Sequence, residues 1–94
     1  MADIKDAYKA MLISTAGTFN VKQNAGKLHL VTVNSKGIAG STITLYDALT
    51  AIGSPFAIID ATIGGTFIYD IALNIGLVVV VAGATPPHLT ISYL

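Results

Sequence analysis

The chain has 94 residues, enough for one domain whose own core is modest. It is 53% apolar and only 11% charged, with a mean hydropathy of +0.72, where an average soluble domain is about 25% charged. Five lysines and five aspartates cancel to zero net charge, with no arginine and no glutamate. That balance excludes the clustered basic footprint of a nucleic-acid binder, and the absence of cysteine excludes disulfides and thiolate metal sites.

The first element is ambiguous. Ile4, Ala7, Tyr8, Met11 and Leu12 fall at helical spacing, while Tyr8 to Ser14 also reads as a strand with Lys9, Met11 and Ile13 on one face. The reading favoured is a loose arm over 1–7 followed by a strand, with residues 8–94 forming a single domain. No positive start followed by an apolar stretch marks the N-terminal sequence as a secretory signal.

From there period two dominates. Lys27 to Asn34 alternates, placing His29, Val31 and Val33 on one face and Leu28, Leu30 and Thr32 on the other. Ser41 to Asp47 sets Ile43 and Leu45 against Thr42, Thr44 and Tyr46. Asp47 to Ile52 has enough residues for one helical turn but is read as a loop. Phe56 to Thr62 is a third alternating run. Thr66 to Leu73 puts Phe67, Tyr69, Ile71 and Leu73 on one side. Leu77 to Ala82 is apolar on both faces, and His88 to Leu94 sets Leu89, Ile91 and Tyr93 against His88, Thr90 and Ser92. Turn residues separate these runs: Asn24-Ala25-Gly26, Asn34 to Gly37, Gly53-Ser54-Pro55, Gly64-Gly65, Asn74, and Gly83 to Pro87. Strands at this spacing, with gaps too short for crossover helices, predict an all-β antiparallel β-sandwich or jelly-roll of about 7–8 short strands. The longest apolar run, Ile75 to Ala84, has about half the ~20 residues a membrane helix needs, so no membrane partner is expected.

The inventory for chemistry is thin. His29 and His88 could meet one of Asp47, Asp60 or Asp70, but no HExxH or CxxC spacing supports a metal site. Each histidine is read as half-buried and bonded to backbone or packed at a chain contact, where its titration would make assembly pH-sensitive. Asp47 and Asp70 each follow a tyrosine at a strand end; they are read as turn caps rather than a glycosidase pair. There is no GxSxG elbow, and Gly64-Gly65 precedes a strand, not the helix a phosphate loop requires. Phe67, Tyr69 and Tyr93 are read as core, against the alternative of a glycan-binding platform that would expose tyrosines such as Tyr46 and Tyr69. The expectation is no enzyme, no cofactor and no metal.

What a monomer explains least is the valine run. A strand apolar on both faces needs either a central place in a layered fold or a neighbouring subunit, and in a chain this short the neighbour is favoured. The expected subunit interface is Met11, Ile13, Leu77, Val78, Val79, Val80, Val81, Pro86 and Pro87. The partners would be other copies of the chain and other proteins.

The succession GKLHLVTVN (Gly26 to Asn34), TITLYD (Thr42 to Asp47), IID (Ile58 to Asp60), GTFIYD (Gly65 to Asp70), GLVVV (Gly76 to Val80) and LTISY (Leu89 to Tyr93) resembles small virion proteins of tailed bacteriophages. The resemblance covers about residues 21–94 and rests on strand patterns, not catalytic signatures. It implies a β-sandwich or jelly-roll subunit on the capsid surface, made in the cytoplasm of a bacterial host. The role it favours is a capsid decoration (cement) protein, usually a homotrimer, that binds the major capsid protein and stabilises the head. Head-fibre, neck and tail accessory proteins are its neighbours in that resemblance. The Pro86-Pro87 pair and the very apolar Phe56 to Ile63 segment depart from the pattern and leave the attachment surface open.

Overall fold

A computed structural model describes residues 8–94; the arm expected over 1–7 lies outside the described residues. The described chain forms eight strands: β1 (Lys9–Ile13), β2 (Gly17–Lys22), β3 (Gly26–Ser35), β4 (Thr42–Tyr46), β5 (Ala57–Asp60), β6 (Gly65–Leu73), β7 (Leu77–Ala82) and β8 (His88–Tyr93). They make two four-stranded antiparallel sheets, ordered β1-β8-β3-β6 (sheet A) and β2-β7-β4-β5 (sheet B). The pairings β1–β8, β2–β7, β3–β6 and β4–β5 are those of one long hairpin, and β3–β8 and β4–β7 roll it up. That order is a jelly-roll, the eight-strand form of the predicted sandwich. Among the described residues no helix is long and apolar enough to cross a membrane.

Alternation explains which side chains fill the space between the sheets. Leu28, Val31 and Val33 of β3, Leu89 and Ile91 of β8, and Ile13 and Leu73 at the edges come from sheet A. Ile43, Leu45, Ile59, Leu77, Val79 and Val81 come from sheet B. Phe67, Tyr69, Ile71 and Tyr93 pack against this core from its margins. Each fully buried aliphatic side chain is worth about 1.5–3 kcal/mol of transfer free energy, so the two central strands of each sheet carry most of the stability.

Two sequence expectations need correction. Gly17–Lys22 is a strand, although no element was expected there; Phe19 and Val21 turn to the core while Thr18 and Asn20 are exposed. On β3 the expected faces break between Leu28 and Leu30, where the pairing with both neighbours shifts. Leu28 joins Val31 and Val33 in the core, and His29 leaves that face.

The cause is a fan in sheet A. Between matched core positions, β8 takes two steps (Tyr93 to Ile91), β3 takes three (Leu28 to Val31) and β6 takes four (Ile71 to Phe67). Each strand carries one more residue than its neighbour, which is a pair of adjacent β-bulges. The bulge on β6 falls at Asp70, whose φ of 48° makes it the one non-glycine left-handed residue among those described. Aspartate tolerates that conformation better than most residues.

The ends of the sandwich are stitched by backbone and side-chain bonds. At one end Gly37 donates to the Ala61 carbonyl (2.8 Å), Ala61 donates to the Ser41 carbonyl (3.0 Å), and the buried Ser41 hydroxyl donates to the Thr85 carbonyl (3.1 Å). At the other, Asp47 closes the β6–β7 turn.

Candidate functional site

The nine residues expected at a subunit interface do not form a surface. Leu77, Val78 and Val79 are 0% exposed, Ile13 and Val81 are 2% exposed, and Pro87 is fully buried. Only Met11, Val80 and Pro86 are partly exposed, and Met11 leans on the core. All of the valine run but Val80 is covered by its own fold, in a strand that is central in its sheet. Its odd members, Leu77, Val79 and Val81, face sheet A, while Val78 is set in register between Asn20 of β2 and Tyr46 of β4. Such residues cannot touch a partner while the sandwich is intact.

The apolar side chains that do reach the surface are others. Tyr8, Leu12, Ile38, Leu49, Ile52, Phe56, Ile58, Ile63, Ile68 and Ile75 are all exposed large hydrophobics. Ile38 and Ile63 lie in the β3–β4 and β5–β6 connections at one end of the sandwich. Leu49, Ile52 and Ile75 lie in the β4–β5 and β6–β7 connections at the opposite end, where Ile52 is 77% exposed. Leu12, Ile58 and Ile68 stand on outer sheet faces, next to residues that point inward. The signal available in the sequence was positional: isoleucines and a leucine sit in turn segments, where a lone domain normally places polar residues.

Asp47 holds the second of these ends in shape. Its carboxylate accepts the amides of Asn74 (2.9 Å), Ile75 (2.9 Å) and Gly76 (3.2 Å). The Asn74 amide first, then those of Ile75 and Gly76, hold this carboxyl below the usual aspartate range despite partial burial. The turn-cap role expected for Asp47 is thus present, at the end of the sandwich whose connections carry Leu49, Ile52 and Ile75. Asp60 makes a local cap of its own, accepting the Thr62 hydroxyl (2.6 Å) and amide (3.0 Å), which lower its pKa.

Asp70 differs from its sequence look-alike. It is no turn cap; it accepts from His29 Nδ1 at 2.5 Å, with Lys27 Nζ 3.8 Å from the same oxygen. The His29 bond first, and the Lys27 charge after it, lower the Asp70 pKa. The His29 ring stacks on Tyr8, with centroids 4.2 Å apart and planes at 13°. Lys27 donates to the Tyr8 hydroxyl at 3.1 Å, a contact that, with Asp70, raises the lysine pKa. So His29, expected to bond backbone or meet another chain, instead bonds a carboxylate across the sheet, while His88 is exposed.

Phe67, Tyr69 and Tyr93 are core-margin residues as expected, with Tyr69 edge-on to Phe56 (6.3 Å) and its phenol pKa raised by burial. Among the described residues no group of three or more metal-ligating side chains converges, and no pocket opens.

Comparison with protein-family models, with curated proteins and with solved structures returns no match.

Proposed function

We propose that this chain is a structural subunit that acts by packing against copies of itself and against other proteins, without catalysing a reaction. One observation carries the reading. Among the described residues ten large apolar side chains are exposed, against seven charged residues in all, four lysines and three aspartates. A lone domain near zero net charge has little to oppose association, and clustered exposed apolar groups mark contact sites. The contact surface in this reading is the two loop ends and the outer isoleucines, not the valine strand.

The place we propose for it is the virion of a tailed bacteriophage, as a decoration protein on the capsid surface, trimeric and bound to the major capsid protein. Support for that finer assignment is the resemblance of the strand motifs. The jelly-roll order adds a fold-level analogy, because this architecture serves viral capsids as well as lectins and cupins.

The test has two arms. Sedimentation of the full chain at micromolar concentration should show a discrete oligomer, and imaging of the intact particle should place the chain on the shell. A stable monomer in solution, absent from purified particles, would end the proposal.

A further inference from the structure

We propose that Tyr8, Lys27, His29 and Asp70 form a proton-controlled clasp that fastens the start of β1 across the outer face of sheet A. The inference concerns the fold of the chain alone and needs no partner.

The topology makes the contact informative. In sheet A, β1 and β6 are opposite edges, and β8 separates β1 from β3. Tyr8 immediately precedes β1, yet its ring stacks on His29 of β3 and its hydroxyl takes a bond from Lys27 of β3. His29 in turn bonds Asp70 of β6. A continuous line of side-chain contacts therefore crosses the whole sheet over β8. The two adjacent bulges sit where this line passes, and Asp70 holds its left-handed backbone there.

Histidine is the one residue type in the line whose ordinary pKa, about 6.5, lies near neutrality; those of lysine, tyrosine and aspartate lie far from it. Every element around His29 is accounted for among the described residues. Tyr8 approaches from the β1 side, Lys27 shares its strand, and Asp70 comes from β6. On β8, Thr90 and Ser92 share the outer face, Tyr93 packs on the core, and His88 starts the strand at the far end.

Protonated His29 gains an ion pair with Asp70 and places a cation on the Tyr8 ring. Lys27 opposes this, but it stands 3.8 Å from the carboxylate oxygen that His29 meets at 2.5 Å. The clasp is tightest in mildly acidic solution. It loosens as the pH rises through the imidazole range, and again in strong acid where Asp70 takes up a proton.

The experiment is an NMR titration of the complete chain, including Asp3, Lys5 and Asp6, from pH 5 to 8. The Tyr8 ring signals should shift with a midpoint in the imidazole range. Water exchange of the Lys9 and Ala10 amides, corrected for intrinsic base catalysis, should quicken about two- to fivefold, the size set by an exposed ion pair. His29→Gln keeps a donor without a titration and should leave the Tyr8 signals flat over this range; Asp70→Asn keeps a left-handed residue without a charge and should abolish the quickening of the Lys9 and Ala10 amides. Tyr8 signals that stay flat in the natural chain or still shift in His29→Gln, or amide exchange that quickens equally in Asp70→Asn, overturn the clasp.

Discussion

Asp47 and Gly76 are 29 residues apart in sequence, yet the carboxylate of the first accepts the amide of the second at 3.2 Å. With the Asn74 and Ile75 amides on the same carboxylate, one side chain ties the end of β4 to the start of β7. Asp47→Ala leaves three amides to water and should cost about 1–2 kcal/mol, since the site is largely solvated. For a domain this size that lowers Tm by about 4–16 °C. Asp47→Asn keeps one acceptor and should lose less. Urea unfolding reads both, and an Asp47→Ala midpoint equal to that of the natural chain would remove the cap from the stability argument.

The aspartates also set the acid limit. Asp47, Asp60 and Asp70 all have folded-state pKa values below the ordinary aspartate value of 3.8. As the pH falls, the unfolded chain therefore takes up protons first. The stability these groups supply is complete above the normal carboxylate range and is lost as the pH drops through the folded values. Tm should hold between neutral and mildly acid pH and then decline. The Asp47→Asn and Asp60→Asn double variant should start lower and decline less steeply; an unchanged slope would contradict the assigned causes.

How far the sequence reveals this molecule depends on what each residue's environment is made of. β4 and β8 read correctly because strict alternation, Ile43 and Leu45 or Leu89 and Ile91, matches one buried face. β2 escaped because only Phe19 and Val21 mark it, between Ser14-Thr15-Ala16 and Gln23-Asn24-Ala25. The displaced faces of β3 were not readable locally, because the bulge beside His29 exists to match two, three and four steps on neighbouring strands. The valine run, taken as sequence, calls for a second chain. A strand apolar on both sides has the same pattern whether a subunit or its own sheet neighbours cover the outer side. The Tyr8–His29–Asp70 line was hidden for a related reason, since its members are brought together only by the strand order of sheet A.

Gly76 shows how closely the same end is built. A Cβ placed there would lie 2.5 Å from the Lys22 carbonyl oxygen and 3.1 Å from that of Ala48. Both obstacles are backbone, so neither can rotate away. Gly76→Ala should destabilise by more than about 1 kcal/mol, beyond the range of an ordinary surface change. Gly53→Ala meets no atom within 4 Å, and its φ of 89° supplies a backbone penalty alone, so it separates steric from conformational cost. Equal losses in the two variants would mean that the close approach at Gly76 relaxes freely.

The sharpest contrast lies between Val79 and Ile52, two apolar residues with opposite surroundings. Val79 is 0% exposed at the centre of sheet B, and Ile52 is 77% exposed in the β4–β5 connection. Val79→Ala removes two buried methyl groups and should cost about 1–3 kcal/mol of folding free energy, the cavity adding to the lost transfer energy. Ile52→Ser touches no buried atom and should change folding by no more than about 0.5 kcal/mol. If the chain works by apolar contact at its loop ends, their effects on assembly reverse. Val79→Ala should leave the association constant of the folded fraction unchanged, because that side chain reaches no surface. Ile52→Ser, combined with Leu49→Ser and Ile75→Ser, should weaken self-association at least tenfold while the far-ultraviolet circular dichroism and unfolding midpoint stay near those of the natural chain. Sedimentation equilibrium on the triple variant decides the point: an unaltered oligomer would move the contact surface away from this end, leaving Ile38 and Ile63 at the other end and the outer-face Leu12, Ile58 and Ile68 as the remaining exposed aliphatic groups to carry it.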